Sequence, residues 1–244
     1  MRAGDADTGG YNSIPAAAVA RLPVYRRVLL ELLSTRTTTV SSTRLATLAG
    51  VNAAKVRKDL SYLGSFGIRG VGYNVEHLLY EVSRELGLTH DWPVLIAGLG
   101  NLGSALANYG GFLERGFPVR ALVDADPAKV GREIAGVPVR HVDELEEVTS
   151  ENRIAIGIVA TPATAAQDVA ERMISAGIGS ILNFAPVVVN TAAGVSVRNV
   201  DLAVELQVLS FYQRRHVPGG HLPGALEDLL EPGLTQARVG QTGR

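Results

Sequence analysis

Residues 93–127, PVLIAGLGNLGSALANYGGFLERGFPVRALVDADP, carry the strongest pattern in the chain. A short apolar run, 94–97, breaks into Gly98-Leu99-Gly100-Asn101-Leu102-Gly103 and then into a helix-compatible segment, the order of a strand, a tight turn and a helix. Such a turn suits a dinucleotide. Gly98 lets the chain leave the strand sharply, Gly100 leaves no Cβ between main chain and pyrophosphate, and Gly103 lets helix and strand pack closely. The phosphates are then expected on free N–H groups at a helix N-terminus, where the macrodipole favours negative charge. A second apolar run, 119–123, ends in Asp124, about twenty residues beyond the last glycine. A carboxylate there accepts both ribose hydroxyls and repels a 2′-phosphate, which favours NAD(H) over NADP(H). Asp126 competes for that role, but it directly precedes Pro127 and reads as a turn residue, leaving Asp124 as the expected ligand.

The 244 residues suffice for two small domains, each with its own core. Hydrophobic residues make up 46% and charged residues 19%, an ordinary balance for a globular protein. Cysteine is absent, which excludes disulfides, zinc–thiolate sites and thiol redox chemistry. Any redox response has to come through a bound small molecule, and no metal is expected. The opening MRAGDADTGGYNS lacks the apolar centre of a signal peptide and no run approaches a membrane span, so a cytoplasmic protein without membrane contact is expected. The net charge of −1 hides an asymmetry. From Arg21 to Tyr73, nine bases (Arg21, Arg26, Arg27, Arg36, Arg44, Lys55, Arg57, Lys58 and Arg69) face two acids, Glu31 and Asp59. A basic module joined to a near-neutral one is the electrostatic pattern of a nucleic-acid binder.

Residues 1–14, small and polar, read as a disordered leader. Beyond Pro15, Val19, Leu22, Tyr25, Val28 and Leu32 recur at helical spacing, and Pro23 places the start of the packed helix near itself. Residues 37–40 are β-branched and extended. Ser41 or Ser42 caps a second helix that stops at Gly50, and Asn52 caps a third, 53–62, with Val56, Leu60 and Leu63 facing inward. Helix, glycine turn and helix make a helix-turn-helix, whose third helix enters a DNA groove. On it Asn52, Lys55, Arg57, Lys58 and Ser61 are the candidate contacts to bases and phosphates. The following GSFGIRGVGY brackets a glycine-rich tip with Phe66, Ile68, Val71 and Tyr73, as a small hairpin does. Arg69 projects from it toward a narrow minor groove. The whole reads as a winged helix-turn-helix. Asn74 caps a bridging helix, 75–87, and the boundary between modules falls at 88–92.

Beyond Asp124, strands are expected at 137–140, 153–160, 180–184 and 195–200, with helices at 143–148 and from Thr161-Pro162 to 176. Strands alternating with helices make a doubly wound α/β sheet of the Rossmann type. Asp201 caps a last helix, 202–216, apolar on nearly every side, which calls for burial against a second subunit. Residues 217–244 read as a mobile tail.

With both modules placed, the chain closely resembles the Rex family of redox-sensing transcriptional repressors over about residues 15–212. The motifs that carry the resemblance are VNAAKVRKDLSY at 51–62 with its glycine-rich wing to Asn74, then GLGNLGSALANY, VDADP, ILNFAPVVV and NVDLAVEL. The resemblance implies a homodimer with winged N-terminal domains, Rossmann domains and exchanged last helices. It implies that double-stranded operator DNA, an inverted repeat, is released when NADH replaces NAD⁺. It also implies a cross-subunit polar relay near the nicotinamide, made of Arg27, Tyr109 and Asp201. Without the resemblance these three read as a solvated base, a half-buried tyrosine and a helix cap. The cofactor set is Gly98, Leu99, Gly100, Asn101, Leu102, Gly103 and Asp124, joined by Thr161, Pro162 and Phe184 at later strand ends and by Tyr109. The tail beyond His216 is longer than the family pattern.

The rival reading is an NAD-dependent dehydrogenase with an N-terminal oligomerisation module, which needs a general acid or base near the nicotinamide. Of three lysines only Lys129 lies in the second half, beside the adenosine turn, and neither His141 nor the linker and C-terminal histidines have an evident partner. A regulator rather than an enzyme is expected. A third reading, a DNA-binding protein with an inert nucleotide fold, is opposed by the intact glycines.

Overall fold

The computed structural model describes residues 14–64, 67–68 and 70–216. The expectations for the leader through residue 13, for Phe66 and Arg69 at the hairpin, and for the tail 217–244 lie outside the described residues.

In the N-terminal unit, α1 (Ala16–Val19) leads into α2 (Leu22–Ser34), which carries Pro23 in its first turn, where a missing N–H costs nothing. After β1 (Thr39–Val40), α3 (Ser42–Ala49) begins at Ser41, whose hydroxyl accepts the Arg44 N–H at 3.1 Å, and ends at Gly50 in the left-handed region. α4 (Ala53–Leu63) is capped by Asn52, whose Oδ1 accepts the Lys55 N–H at 2.8 Å. β2 (Gly67–Ile68) and β3 (Gly72–Asn74) form a hairpin that adds to β1 in the antiparallel order β1-β3-β2. Gly72, at φ +108°, would place a Cβ 2.5 Å from the Val40 carbonyl oxygen, so glycine is what lets the hairpin close on β1. α5 (Val75–Glu85) starts from Asn74, which caps the His77 N–H at 2.8 Å. Tyr25, Leu29, Leu45, Val56, Leu60 and Val82 meet in one core. Each such fully buried side chain contributes roughly 1.5–3 kcal/mol.

The second unit is a sheet built from β4 (Val94–Ala97), β5 (Val119–Asp124), β6 (Glu133–Ile134), β7 (Val137–His141), β8 (Ile156–Val159), β9 (Ser180–Asn183) and β10 (Ser196–Asn199). Their order is β10-β9-β8-β4-β5-β7-β6, parallel except for β6. The β6–β7 hairpin was not anticipated by the strand pattern. Interleaved are α6 (Asn101–Ala107), α7 (Leu145–Glu151) and α8 (Ala163–Ser175). β4 divides the core by simple alternation: Leu95 and Ala97 join a cluster that includes α7 and α8, while Val94 and Ile96 join the opposite one. From β4 the chain moves outward to β5 and β7, then returns to lay β8 on the other side of β4. The order therefore reverses between β4 and β8, and the carboxyl ends of such a pair flank a crevice.

α9 (Leu202–His216) starts at Asp201, whose Oδ1 accepts the Ala203 N–H at 2.9 Å. Its apolar side chains stand in the open: Leu202, Leu206 and Leu209 are 60%, 66% and 62% exposed. None of the described helices is long and apolar enough to cross a membrane.

Candidate functional site

A crevice of about 700 Å³ opens at the reversal between β4 and β8. Gly98, Gly100, Asn101, Leu102, Asp124, Thr161, Pro162 and Phe184 all line it, so most of the expected cofactor set is brought together. The three glycines have three separate jobs. At Gly98, φ is +91° and a Cβ would sit 2.7 Å from the Ala160 carbonyl oxygen, which joins the turn to the end of β8. At Gly103 a Cβ would collide with the Gly98 carbonyl oxygen, so α6 presses directly on the turn. At Gly100 a Cβ would meet nothing within 4 Å. Steric demand is absent there; the space above the backbone is open to a ligand. Thr161 Oγ1 is buried on the crevice wall without a partner among the described residues, a polar group whose desolvation is uncompensated. A dinucleotide fits this donor set. Leu99 is buried and supplies main chain only.

Asp124 lines the crevice, as expected of the ribose ligand, and it also serves the turn. It is 7% exposed, and its carboxylate already accepts the Leu99 N–H at 2.6 Å, the Asp126 N–H at 2.8 Å and Lys129 Nζ at 3.0 Å. Burial alone would raise its pKa, but the two main-chain N–H groups and Lys129 outweigh burial and hold the carboxyl below its ordinary range. Asp124 braces the glycine turn from beneath. Asp126, which also lines the crevice, closes the turn by accepting the Ala128 N–H at 2.9 Å, yet its side chain remains 48% exposed. Beyond β9, the fully buried Asn183 fixes the loop that carries Phe184. It donates to the Val187 carbonyl at 2.7 Å and to Asn199 Oδ1 at 2.9 Å, and accepts the Ala185 N–H at 2.9 Å.

On α4, Lys55, Arg57, Lys58 and Ser61 are exposed while Val56 and Leu60 are buried. Arg57 also donates to Ser42 Oγ at 3.2 Å, which ties α4 to α3, and Ser61 bonds back to the Lys58 carbonyl at 2.7 Å. Asn52 is committed to its cap. Asp59, one of the two acids of the 21–73 segment, is 2% exposed. Arg21 grips it with two hydrogen bonds of 2.6 and 2.7 Å, and the Tyr25 hydroxyl donates a third at 2.7 Å. Burial opposes the charge, but these bonds outweigh it and keep the Asp59 carboxyl below its ordinary range. Burial together with Asp59 pushes the Tyr25 hydroxyl up to about 12. Arg21 and Asp59 thus cancel, and the remaining bases around α4 are left with Glu31 as the single acid of the 21–73 segment.

The three relay candidates are not brought together in the chain. Asp201 caps α9, Arg27 lines a cavity between α2 and the second unit, and Tyr109 lies in the turn after α6 with its hydroxyl 3.4 Å from Arg115 Nη1. Among the described residues no cluster of His, Asp or Glu suits a metal ion.

Fold and site define a nucleotide-binding α/β unit joined to a small helical unit with one basic face. Comparison with known proteins divides the chain the same way. Residues 13–61 match the family model for the N-terminus of putative DNA-binding proteins, and residues 89–187 match the CoA-binding domain. The redox-sensing transcriptional repressor Rex of Streptomyces coelicolor is 60% identical over 202 residues, 83% of this chain and 78% of its own. That of Desulfitobacterium hafniense is 50% identical over 198 residues, 81% of this chain and 94% of its own. Among solved structures, RSP in complex with β-NAD⁺ and operator DNA matches with a TM-score of 0.78 at 38% identity, covering 82% of this chain and 92% of that one. RSP in complex with β-NADH matches with a TM-score of 0.76 at 35% identity, covering 84% and 96%. The chain belongs to the Rex family of redox-sensing transcriptional repressors.

Proposed function

We propose that this protein is a homodimeric repressor that holds double-stranded operator DNA, an inverted repeat, and lets go when NADH replaces NAD⁺. The observation that carries the reading is the turn at Gly98, Gly100 and Gly103, with open space above Gly100, in the same chain as the basic face of α4. Residues 15–88 form a winged helix-turn-helix domain with its linker helix, 89–200 the Rossmann domain and 201–216 a helix exchanged between subunits. The open apolar surface of α9 supports the exchange, because a helix apolar on all sides has to be covered.

In the DNA domain, Lys55, Arg57, Lys58 and Ser61 meet the major groove and its phosphates, Asn52 sets the helix start, and Arg69 on the wing enters the minor groove. In the crevice, the main chain from Gly98 to Gly103 receives the pyrophosphate. Asp124, whose Oδ1 accepts only the Asp126 N–H, takes the ribose hydroxyls, with Asp126 beside it on the same crevice wall. Thr161, Pro162 and Phe184 wall the nicotinamide end and exclude water. Bound there, the nicotinamide supplies a flat ring that is cationic when oxidised and neutral when reduced. A wall that closes on it prefers the neutral form.

Arg27, Tyr109 and the Asp201 carboxylate of the second subunit transmit closure to the DNA domains and change the distance between the two α4 helices. Moving a two-state equilibrium from 1:99 to 99:1 takes about 5.5 kcal/mol, under about 3 for each of two sites. Desolvating one charge is enough for that. The protein is a regulator rather than a catalyst. The test is operator binding by fluorescence anisotropy with the two nucleotides titrated separately. NADH is expected to weaken binding at least tenfold and NAD⁺ to leave it intact; equal responses to both would overturn the proposal.

A further inference from the structure

Three guanidinium groups face one cavity where the two units meet. It encloses about 470 Å³ and is lined by Arg26 and Arg27 of α2, by Arg115 from the turn after α6, and by Leu86, Leu88 and Phe117. Among the described residues no acidic side chain lines it. Like charges converging over an apolar floor repel one another, so each must be held in place by something else. Arg26 donates to Ser83 Oγ at 3.1 Å. Arg115 is held by a single nitrogen, Nη1, which donates to the Gly111 carbonyl at 2.7 Å and to the Tyr109 hydroxyl at 3.4 Å.

Gly111 makes this meeting possible. A Cβ there would lie 2.5 Å from Tyr109 Cζ and 2.6 Å from its hydroxyl, and nearer still to the guanidinium. The tyrosine ring is steadied on its other side by Phe112, edge-on with centroids 5.1 Å apart. Tyr109 is thereby joined to the charged cavity, and it does not line the nucleotide crevice.

We propose that Arg115 is a positioning residue of the redox switch, tethering Tyr109 at the junction between the two domains and placing a third positive charge opposite Arg27. This rests on the relay proposed above. A ligand shifts an equilibrium only by its preference between the two states, so a tether that favours one state raises the ligand concentration needed to reach the other. Removing the tether eases the turn of Tyr109 toward the nicotinamide.

The experiment uses the full-length protein on labelled operator, with NADH titrated and the half-release concentration read. R115Q is expected to lower that concentration about 3- to 10-fold, the range of one ordinary hydrogen bond, as suits a contact of 3.4 Å. R115K is expected to restore the wild-type value, because one nitrogen makes both contacts and an ammonium can reproduce them. Y109F abolishes the difference between R115Q and its parent. A half-release concentration unchanged or raised in R115Q, with or without a lower melting temperature, while Y109F and R27Q still shift it, overturns the role of Arg115 and leaves the relay standing. If Y109F and R27Q are also without effect, the relay falls and Arg115 falls with it.

Discussion

Each of the two units buries one aspartate beneath its functional surface, and the two are held in opposite ways. Asp59 lies on the buried side of α4 and is gripped by side chains 38 and 34 residues away, before and on α2. Asp124 lies under the glycine turn and accepts two main-chain N–H groups and the nearby Lys129. The nucleotide turn is therefore set within its own strand-turn-helix unit, whereas the basic helix is tied to α2 by buried contacts distant in the chain.

The strongest way to break the comparison is Gly103→Val. Its Cβ collides with the Gly98 carbonyl oxygen, so calorimetry should find NADH affinity reduced at least 100-fold, while operator binding without nucleotide stays within about threefold. Next comes Asp59→Asn, which turns an amide donor toward the Arg21 guanidinium. Denaturation of the N-terminal unit should show a loss of about 2–3 kcal/mol, with operator affinity down about tenfold and NADH affinity unchanged. Asp124→Asn should do less, about 1–2 kcal/mol, with its effect on NADH affinity rather than on DNA, because main-chain geometry still supports the turn. Equal effects of both substitutions on both ligands would erase the distinction.

Titration sharpens the contrast further. Asp59 and Asp124 both have folded pKa values below the unfolded one, so their contribution is complete above about pH 5 and is lost as the pH falls through the folded values. The N-terminal unit alone has an alkaline limit of this kind through its aspartate's partner. With Tyr25 pushed up to about 12, its contribution is complete below about pH 10 and declines as the pH rises toward 12. Melting curves of Tyr25→Phe against the parent across that window should show a smaller alkaline loss in the variant. The smallest effect belongs to Lys58→Ala, a single exposed base. It should weaken operator binding a few-fold and lower the salt slope by about one.

Much of this was legible because it is local. Asn52 and Asn74 read as helix caps from residue type and position, and Ser41 as one of two candidates with Ser42; each of the three accepts the N–H three residues on. The glycine turn declared itself by spacing and by the apolar runs on either side. What escaped depends on contacts that no short window contains. Asp59 looks like a surface acid in a basic run until α2 is packed across it, although an acid at i, i+3 from Val56 falls on the buried side of the helix and was a usable sign. Asp124 and Asp126 both stand at the strand end and both line the crevice, but that the Leu99 N–H from 25 residues away rests on Asp124 is a contact no short window contains. The β6–β7 hairpin is two residues wide on its outer strand, too short for alternation to register. Arg115 carries no pattern at all; only the folded turn brings it to Tyr109.

The exposed apolar helix at the end of the described chain has a consequence for dosage. A polypeptide that leaves Leu202, Leu206, Leu209 and Phe211 uncovered is a poor resident of the cell as a single copy, open to proteases and chaperones until a twin arrives. Covering that surface with a second copy would make the amount of folded repressor depend on its own concentration, beside its dependence on the reduction state of the nicotinamide pool.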